Sequence, residues 1–177
     1  MLKKIEPQKF LSRGINIFLN RWFLLTSGDI KQHNTMTVSW GSLGGIWALP
    51  FVQVVVRPTR YTYEFMEKYN TFTLCSFPEQ YKEALELLGS RSGKDGDKIK
   101  QSGLNITESS QIEAPSFAEA DLRIECQKIY WQDMDPSHFL DPSIEKNYPK
   151  KDYHRIYYGK IMAISGSNKW TNGTSMK

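Results

Sequence analysis

The chain has 177 residues, 40% of them hydrophobic, and carries 23 lysines and arginines against 19 acidic residues, a formal net charge of +4. This length predicts one domain over residues 1–177, and the small, scattered charge excess is too weak to indicate a nucleic-acid partner. No segment approaches the ~20 apolar residues of a membrane span, and the first residues lack the apolar run of a secretory signal, so we expect a cytoplasmic protein with no membrane partner.

The cysteines and histidines are too dispersed to predict a metal site. Cys75 and Cys126 stand far apart, neither belongs to a C-x-x-C pair, and the histidines are equally scattered, so no metal is expected. Cys126 alternates with Leu122 and Ile124, which favours a small buried side chain on a strand over a reactive thiol.

The first half of the chain contains short runs of β-branched and aromatic residues, most of which end at glycine. Such runs are typical of antiparallel strands, and they predict strands over residues 21–29, 34–44 and 47–56. Apolar and aromatic residues then recur at helical spacing over residues 61–69, and residues 71–77 return to the alternation of a strand.

The second half begins with a clearer helix. Apolar residues recur at helical spacing over residues 78–90, with Gly89 as the expected stop. A charged, glycine-rich connector with a short helix follows over residues 91–103. Two long strands are predicted over residues 121–133 and 154–164.

Many short strands with helices in their connections predict a mainly β protein. A closed or partly closed antiparallel barrel fits this order of elements, because closure removes exposed strand edges. A flat sheet covered on one face by the helices has the same periodicity and stays as the alternative.

The segment "VVVRPTRYTYEFMEK" from residue 54 predicts an anion site where a strand meets a helix. Pro58 cannot continue a central ladder, so the strand should end there, and Thr59 is expected to cap the helix. Unpaired N–H groups at a helix start attract anions, and Arg57, Arg60 and Thr62 add further donors. An ordinary capped helix with solvated arginines is the alternative.

Two other stretches suit the same ligand. In "NTMTVSWGSLGGIW", Thr35, Thr37 and Ser39 alternate before a glycine run, so this strand can hydrogen-bond the edge of a flat ring. In "GSRSGKDGDK" from residue 89, backbone amides of a glycine-rich loop can close over a phosphate, although a solvated loop has the same composition.

These segments, with "YHRIYYGKI" from residue 153, resemble the flavin reductase-like family in the same order over residues 12–165. The resemblance implies a six-stranded antiparallel Greek-key fold, the FMN-binding split β-barrel. It also implies FMN as cofactor, NAD(P)H as co-substrate, and a homodimer with FMN near the interface. Four tryptophans, more aromatic bulk than one small barrel readily encloses, also favour a dimer: Trp22, Trp40, Trp47 and Trp131.

The resemblance also implies a set of site residues. The strand that faces the flavin ring supplies Asn34, Met36, Thr37, Val38, Ser39 and Trp40. The ribityl and phosphate oxygens are expected to bind Arg57, Pro58, Thr59, Arg60, Tyr61 and Thr62, with a closing loop of Ser92, Gly93 and Lys94. His154 matches a histidine near the flavin and is the catalytic candidate.

The sequence departs from the family pattern in two places. Lys160 stands where an acidic residue usually follows the glycine, and a polar segment over residues 166–177 replaces the usual C-terminal strand. We expect this tail to be loosely held except at Trp170.

The expected activity is NAD(P)H-dependent reduction of flavin, or electron transfer through bound FMN. Because the cofactor carries the chemistry, no dedicated acid–base pair is needed. We expect the nicotinamide to reach the ring past Gly44 and Gly45. The alternatives are an electron carrier of the flavoredoxin type that takes no hydride and, less favoured, a nucleic-acid-binding β-barrel.

Overall fold

A single large antiparallel sheet organises the chain. The computed structural model describes residues 3–5 and 14–170, with the side chains of residues 14–16 left out of the description. The strands are β1 Lys3–Ile5, β2 Phe23–Gly28, β3 His33–Val38, β4 Gly41–Ile46, β5 Leu49–Val56, β6 Thr71–Ser76, β7 Ile106–Thr107, β8 Ser116–Phe117, β9 Leu122–Asp133 and β10 Arg155–Gly166. The helices are α1 Gly14–Leu19, α2 Tyr61–Lys68, α3 Lys82–Ser90 and α4 Lys98–Ser102.

The order of strands in the large sheet is β3-β2-β6-β9-β10-β5-β4, with β1 added beside β10, and every pairing is antiparallel. β7 and β8 form a separate two-stranded sheet. The mainly β fold is therefore confirmed. The large sheet has eight strands rather than six.

One segment that was predicted as a single strand forms two strands in the structure, and this accounts for part of the difference in strand number. Residues 34–44 divide at Ser39 and Trp40, because β3 pairs with β2 whereas β4 pairs with β5. This change of partner links the two ends of the sheet. Among the described residues no backbone pairing joins β3 to β4, so the sheet is open there.

Apolar side chains fill both faces of the sheet. On β2, Phe23 and Leu25 enter a cluster with the central strands, whereas Leu24 enters a second cluster beneath α3. α3 contributes Leu85 and Leu88 to that second cluster. Burial on two faces explains why β2 begins with three consecutive apolar residues instead of an alternating pattern.

The predicted helices and long strands are present with small shifts at their ends. The segment predicted as one helix over residues 78–90 begins with a 3-10 turn, Glu79–Tyr81, before α3. Cys126 is buried on β9 as predicted, and burial raises the pKa of its thiol. No helix in the described ranges is long and apolar enough to cross a membrane.

The start of the C-terminal segment is held by Trp170, which is 1% exposed and packs in the main cluster. The predicted exception at this residue is confirmed. The rest of the tail, residues 171–177, lies outside the described residues.

Candidate functional site

A cavity of about 220 Å³ lies where β3, β5 and the start of β10 converge. We call it the strand-edge cavity. Its walls are formed by Met36, Thr37, Val38, Ser39, Trp40, Val55, Arg57, Arg60 and His154. All of these except Val55 belong to the predicted site, and the fold brings them together because β3 ends at the open part of the sheet.

The β3 wall combines apolar side chains with the edge of a strand that stands at the end of the sheet order. Val38 is buried, and Met36 packs against the core. The Thr37 hydroxyl donates to the carbonyl of Leu85 at 2.5 Å, so it anchors α3 to the strand. The end of β3 and the two residues after it therefore offer a backbone edge to a flat ligand, and the Thr37 hydroxyl is already engaged by the protein.

His154 forms the opposite wall. The Tyr148 hydroxyl lies 2.8 Å from its Nδ1, and the Trp40 ring is 5.2 Å from the imidazole. Burial, assisted by the charges of Arg57 and Arg60, lowers the pKa of His154 to about 4. The imidazole is thus neutral at ordinary pH, and its Nδ1 is committed to a phenol.

Arg57 is held by its own chain. Its guanidinium donates to both carboxylate oxygens of Asp152 at 2.9 and 3.0 Å and to the carbonyl of Asn147 at 2.7 Å. It also lies over the Tyr148 ring, 5.0 Å from the centroid. Arg57 therefore fixes the segment that carries Tyr148 and lowers the pKa of Asp152, and its charge is largely neutralised.

A second cavity, of about 90 Å³, adjoins the first through Met36 and Arg60. We call it the seat. Its remaining lining residues are Asn34, Thr59, Tyr61, Thr62, Leu88, Gly89, Ser90, Arg91, Ser92, Gly93 and Lys98. The N-terminus of α2, the C-terminus of α3 and the following loop thus meet at one point, as the sequence predicts.

A tight contact holds the loop against the strand. Asn34 Nδ2 donates to the buried Thr62 hydroxyl at 2.7 Å. Gly93 packs on the same amide: a Cβ at this position would overlap Asn34 Oδ1 and would approach Tyr61 Cδ1 at 3.1 Å. The absence of a side chain at residue 93 is what lets the loop lie this close.

The lysine of the seat is Lys98, which the sequence interpretation missed. Its ammonium is buried and donates to the carbonyls of Leu88 at 2.8 Å and Arg91 at 3.0 Å, at the end of α3. Burial, with a smaller contribution from the charge of Arg60, lowers the pKa of Lys98 to about 8. No local pattern marks this residue, because its partners belong to another helix.

Two predicted residues lie elsewhere. Lys94 pairs with Glu64 at 2.5 Å and lies over the Tyr61 ring, outside the seat. Pro58 is exposed and lines neither cavity.

Thr59 does not cap α2. Arg60 is the capping residue, and the Thr59 hydroxyl donates to Asp152 at 3.4 Å.

The predicted approach past Gly44 and Gly45 is also not seen. Both residues lie on β4 opposite Phe51 and Pro50, and neither lines the strand-edge cavity. They sit in the arm of a hairpin that turns at Trp47 and Ala48, both with positive φ. These glycines therefore shape a hairpin.

The chain matches the flavin reductase like domain over residues 17–173. It is 27% identical over 148 residues to an uncharacterized protein of Pyrococcus abyssi, covering 82% of this chain and 73% of the relative.

Solved structures show the same fold. An FMN-binding domain of a flavin reductases-like enzyme from Shewanella baltica OS155 superposes with a TM-score of 0.71 at 18% identity, over 98% of this chain and 81% of that one. Flavoredoxin of Desulfovibrio vulgaris (Miyazaki F) gives 0.66 at 20% identity, over 90% and 73%. The NADH:FAD oxidoreductase SgcE6 of Streptomyces globisporus C-1027 gives 0.64 at 14% identity, over 83% and 75%. The chain belongs to the flavin reductase-like domain family and has its split-barrel fold.

Proposed function

We propose that this protein binds FMN and acts as an NAD(P)H-dependent oxidoreductase. The observation that carries the proposal is the junction of two cavities through Met36 and Arg60. One cavity has a strand edge with apolar side chains from Val38, Trp40 and Val55 in its lining, and the other gathers cationic and hydroxyl groups. This is the order in which a flavin mononucleotide presents its ring and its phosphate.

The charges of the seat fit a phosphate dianion. Among the described residues Arg60 has no carboxylate within ion-pair distance, and Arg91 and the buried Lys98 line the same cavity. Cations gathered around one cavity repel one another unless an anion compensates them. The seat supports phosphate binding for that reason.

FMN, when bound, supplies the redox chemistry, which includes both one-electron and two-electron transfer. The protein's part is to hold the ring and control its surroundings. The β3 edge orients the ring, Trp40 and Val55 exclude water from parts of it, and His154 presents a neutral imidazole. The Tyr148 hydroxyl has one hydrogen, which it can donate either to His154 Nδ1 or to Met134 Sδ at 3.3 Å. If it donates to Nδ1, the imidazole carries its proton on Nε2; if it donates to Met134, Nδ1 can carry the proton and donate to the phenol oxygen.

Purified protein loaded with FMN should show a flavin spectrum in stoichiometric amount. Under anaerobic conditions NADH or NADPH should bleach it, and air should restore the colour. Stopped-flow absorbance with each nucleotide checks this, with dithionite as the control for a reducible flavin. If no FMN is retained or bound in titration, the flavin assignment is wrong.

An electron carrier of the flavoredoxin type is the second candidate, since a flavoredoxin shares the fold. A carrier needs the same seat but no place for a nicotinamide beside the ring. Flavin that stays oxidised for many minutes with both nucleotides, yet is bleached at once by dithionite, would favour the carrier over the reductase.

We also propose that the protein is a homodimer. A continuous aromatic face supports this: Trp47 is 60% exposed and packs edge-on against Tyr130 at 6.0 Å, and Tyr130 contacts Tyr158, which stacks with Phe51 at 5.7 Å. Exposed aromatic surface of this kind is a common mark of association. Trp22, in contrast, packs against the second core cluster and gives no support.

Sedimentation velocity at micromolar concentration should show a dimer, and Trp47→Asp should shift it toward monomer. Leu140→Asp is a suitable control, because Leu140 is 98% exposed on a different segment and its substitution should leave the assembly unchanged. A wild-type protein that sediments only as monomer would contradict the proposal.

A further inference from the structure

The segment between β9 and β10, residues 134–153, is bonded to two residues that line the strand-edge cavity, Arg57 and His154. The bond to His154 comes from Tyr148, which is 3% exposed and does not itself line the cavity. Its hydroxyl lies 2.8 Å from His154 Nδ1. A buried phenol outside the cavity therefore contacts a side chain that a bound ligand would meet.

The Tyr148 ring is held by several contacts. The Arg57 guanidinium lies over it and is fixed in turn by the carboxylate of Asp152 and the carbonyl of Asn147. Phe139 stacks on the same ring, with the centroids 6.0 Å apart. Because Asn147 precedes Tyr148 and Asp152 follows it, Arg57 ties both sides of this residue to the end of β5. The phenol is thereby kept against Nδ1.

The strengths of the two available acceptors decide where the single hydroxyl hydrogen goes. The imidazole nitrogen of His154 is a good acceptor at 2.8 Å, whereas the thioether sulfur of Met134, at 3.3 Å, is a weak one. Donation to Nδ1 leaves the proton of the neutral imidazole on Nε2. Within the described ranges no protein group bonds to Nε2, and this nitrogen is left for the cavity that His154 lines.

We propose that Tyr148 is a positioning residue: held by Arg57, it fixes His154 in the tautomer that carries its proton on Nε2 and offers an N–H donor to the ligand. The inference rests on the proposed flavin site for the identity of that ligand. A ligand atom that faces this wall must then accept a hydrogen bond, as a carbonyl oxygen or an unprotonated ring nitrogen does. Arg57 acts here through the segment that it holds.

Nitrogen NMR of isotope-labelled histidine side chains tests the inference in the flavin-free full chain at neutral pH. The spectrum distinguishes the protonated ring nitrogen from the unprotonated one, and the signals that His154→Asn lacks belong to this residue. We expect wild-type His154 to be protonated on Nε2. Tyr148→Phe should shift the ratio of the two tautomers about threefold to tenfold toward Nδ1, because one hydrogen bond is lost. Arg57→Lys, which cannot reproduce the paired bonds of the guanidinium, should shift it in the same direction.

Tyr153→Phe is the matched control. Its ring packs on Tyr148 at 5.0 Å, but its hydroxyl donates to Glu145, so the His154 spectrum should stay as in the parent. In FMN-loaded protein, Tyr148→Phe should slow anaerobic bleaching by NADH or NADPH about tenfold, because a misoriented group slows a reaction without removing a binding contact. FMN affinity should stay close to the parent's. Thermal unfolding of each variant checks that the fold is intact.

Three results would overturn the inference: wild-type His154 protonated on Nδ1, a tautomer ratio that Tyr148→Phe leaves unchanged, or bleaching of that variant at the parental rate. The NMR measurement needs no flavin. The expected tautomers in a chain that binds no FMN would contradict the proposed function and still support the role of Tyr148.

Discussion

Replacing Gly93 by valine is expected to weaken flavin binding by roughly tenfold to 100-fold, or about 1–3 kcal/mol. A side chain here would displace the Asn34 amide, break its hydrogen bond to Thr62 and push the loop off the seat. Flavin titration by fluorescence, with thermal unfolding of the flavin-free protein in parallel, separates loss of binding from loss of fold.

Gly45→Val is the matched control for this change. A Cβ at Gly45 meets no atom within 4 Å, and the residue itself is exposed on β4. It should bind flavin like the parent. If Gly93→Val binds flavin with parental affinity, the loop does not close the site and the seat must be reassigned.

The second large effect is a dependence of stability on pH that comes from His154. Its folded pKa of about 4 lies below the ordinary histidine pKa of about 6.5, so between these values the unfolded chain binds a proton that the folded protein does not. This contribution to stability is fully present above pH 6.5 and is lost as the pH falls toward 4, by up to about 3 kcal/mol. Urea unfolding at a series of pH values measures the loss.

His154→Asn is the informative comparison, because the asparagine side chain can keep a polar atom near the Tyr148 hydroxyl and does not titrate. The difference in unfolding free energy between wild type and His154→Asn should therefore change across this pH range and stay constant above it. Parallel curves from pH 4 to 7 would show that His154 is not held neutral by the fold.

Local pattern alone was enough to predict much of the fold. The alternation of Leu122, Ile124 and Cys126 identified β9, and the apolar spacing of α3 identified a helix that covers the sheet. Both succeed because a strand or helix that buries one face must repeat with its own period, whatever it packs against. Proline after β5 likewise predicted the end of that strand.

Site residues that share a strand or loop were also predictable, since neighbours in sequence stay neighbours in space. Residues 36–40 line one cavity together, and residues 59–62 line the next with Ser92 and Gly93. Whether they bind flavin stays a prediction that the titrations above will test.

The hydrogen-bond and ion-pair partners of the charged side chains depended on the tertiary structure. Arg57 meets Asp152 from 95 positions away, and Lys98 rather than Lys94 enters the seat because the carbonyls at the end of α3 hold its ammonium. The division of one predicted strand at Ser39 and Trp40 also required knowledge of both sheet partners. Composition and periodicity specify which face of an element is buried, but the partner of a long polar side chain is set by whatever the folded chain brings within hydrogen-bond distance, and no local repeat encodes that distance.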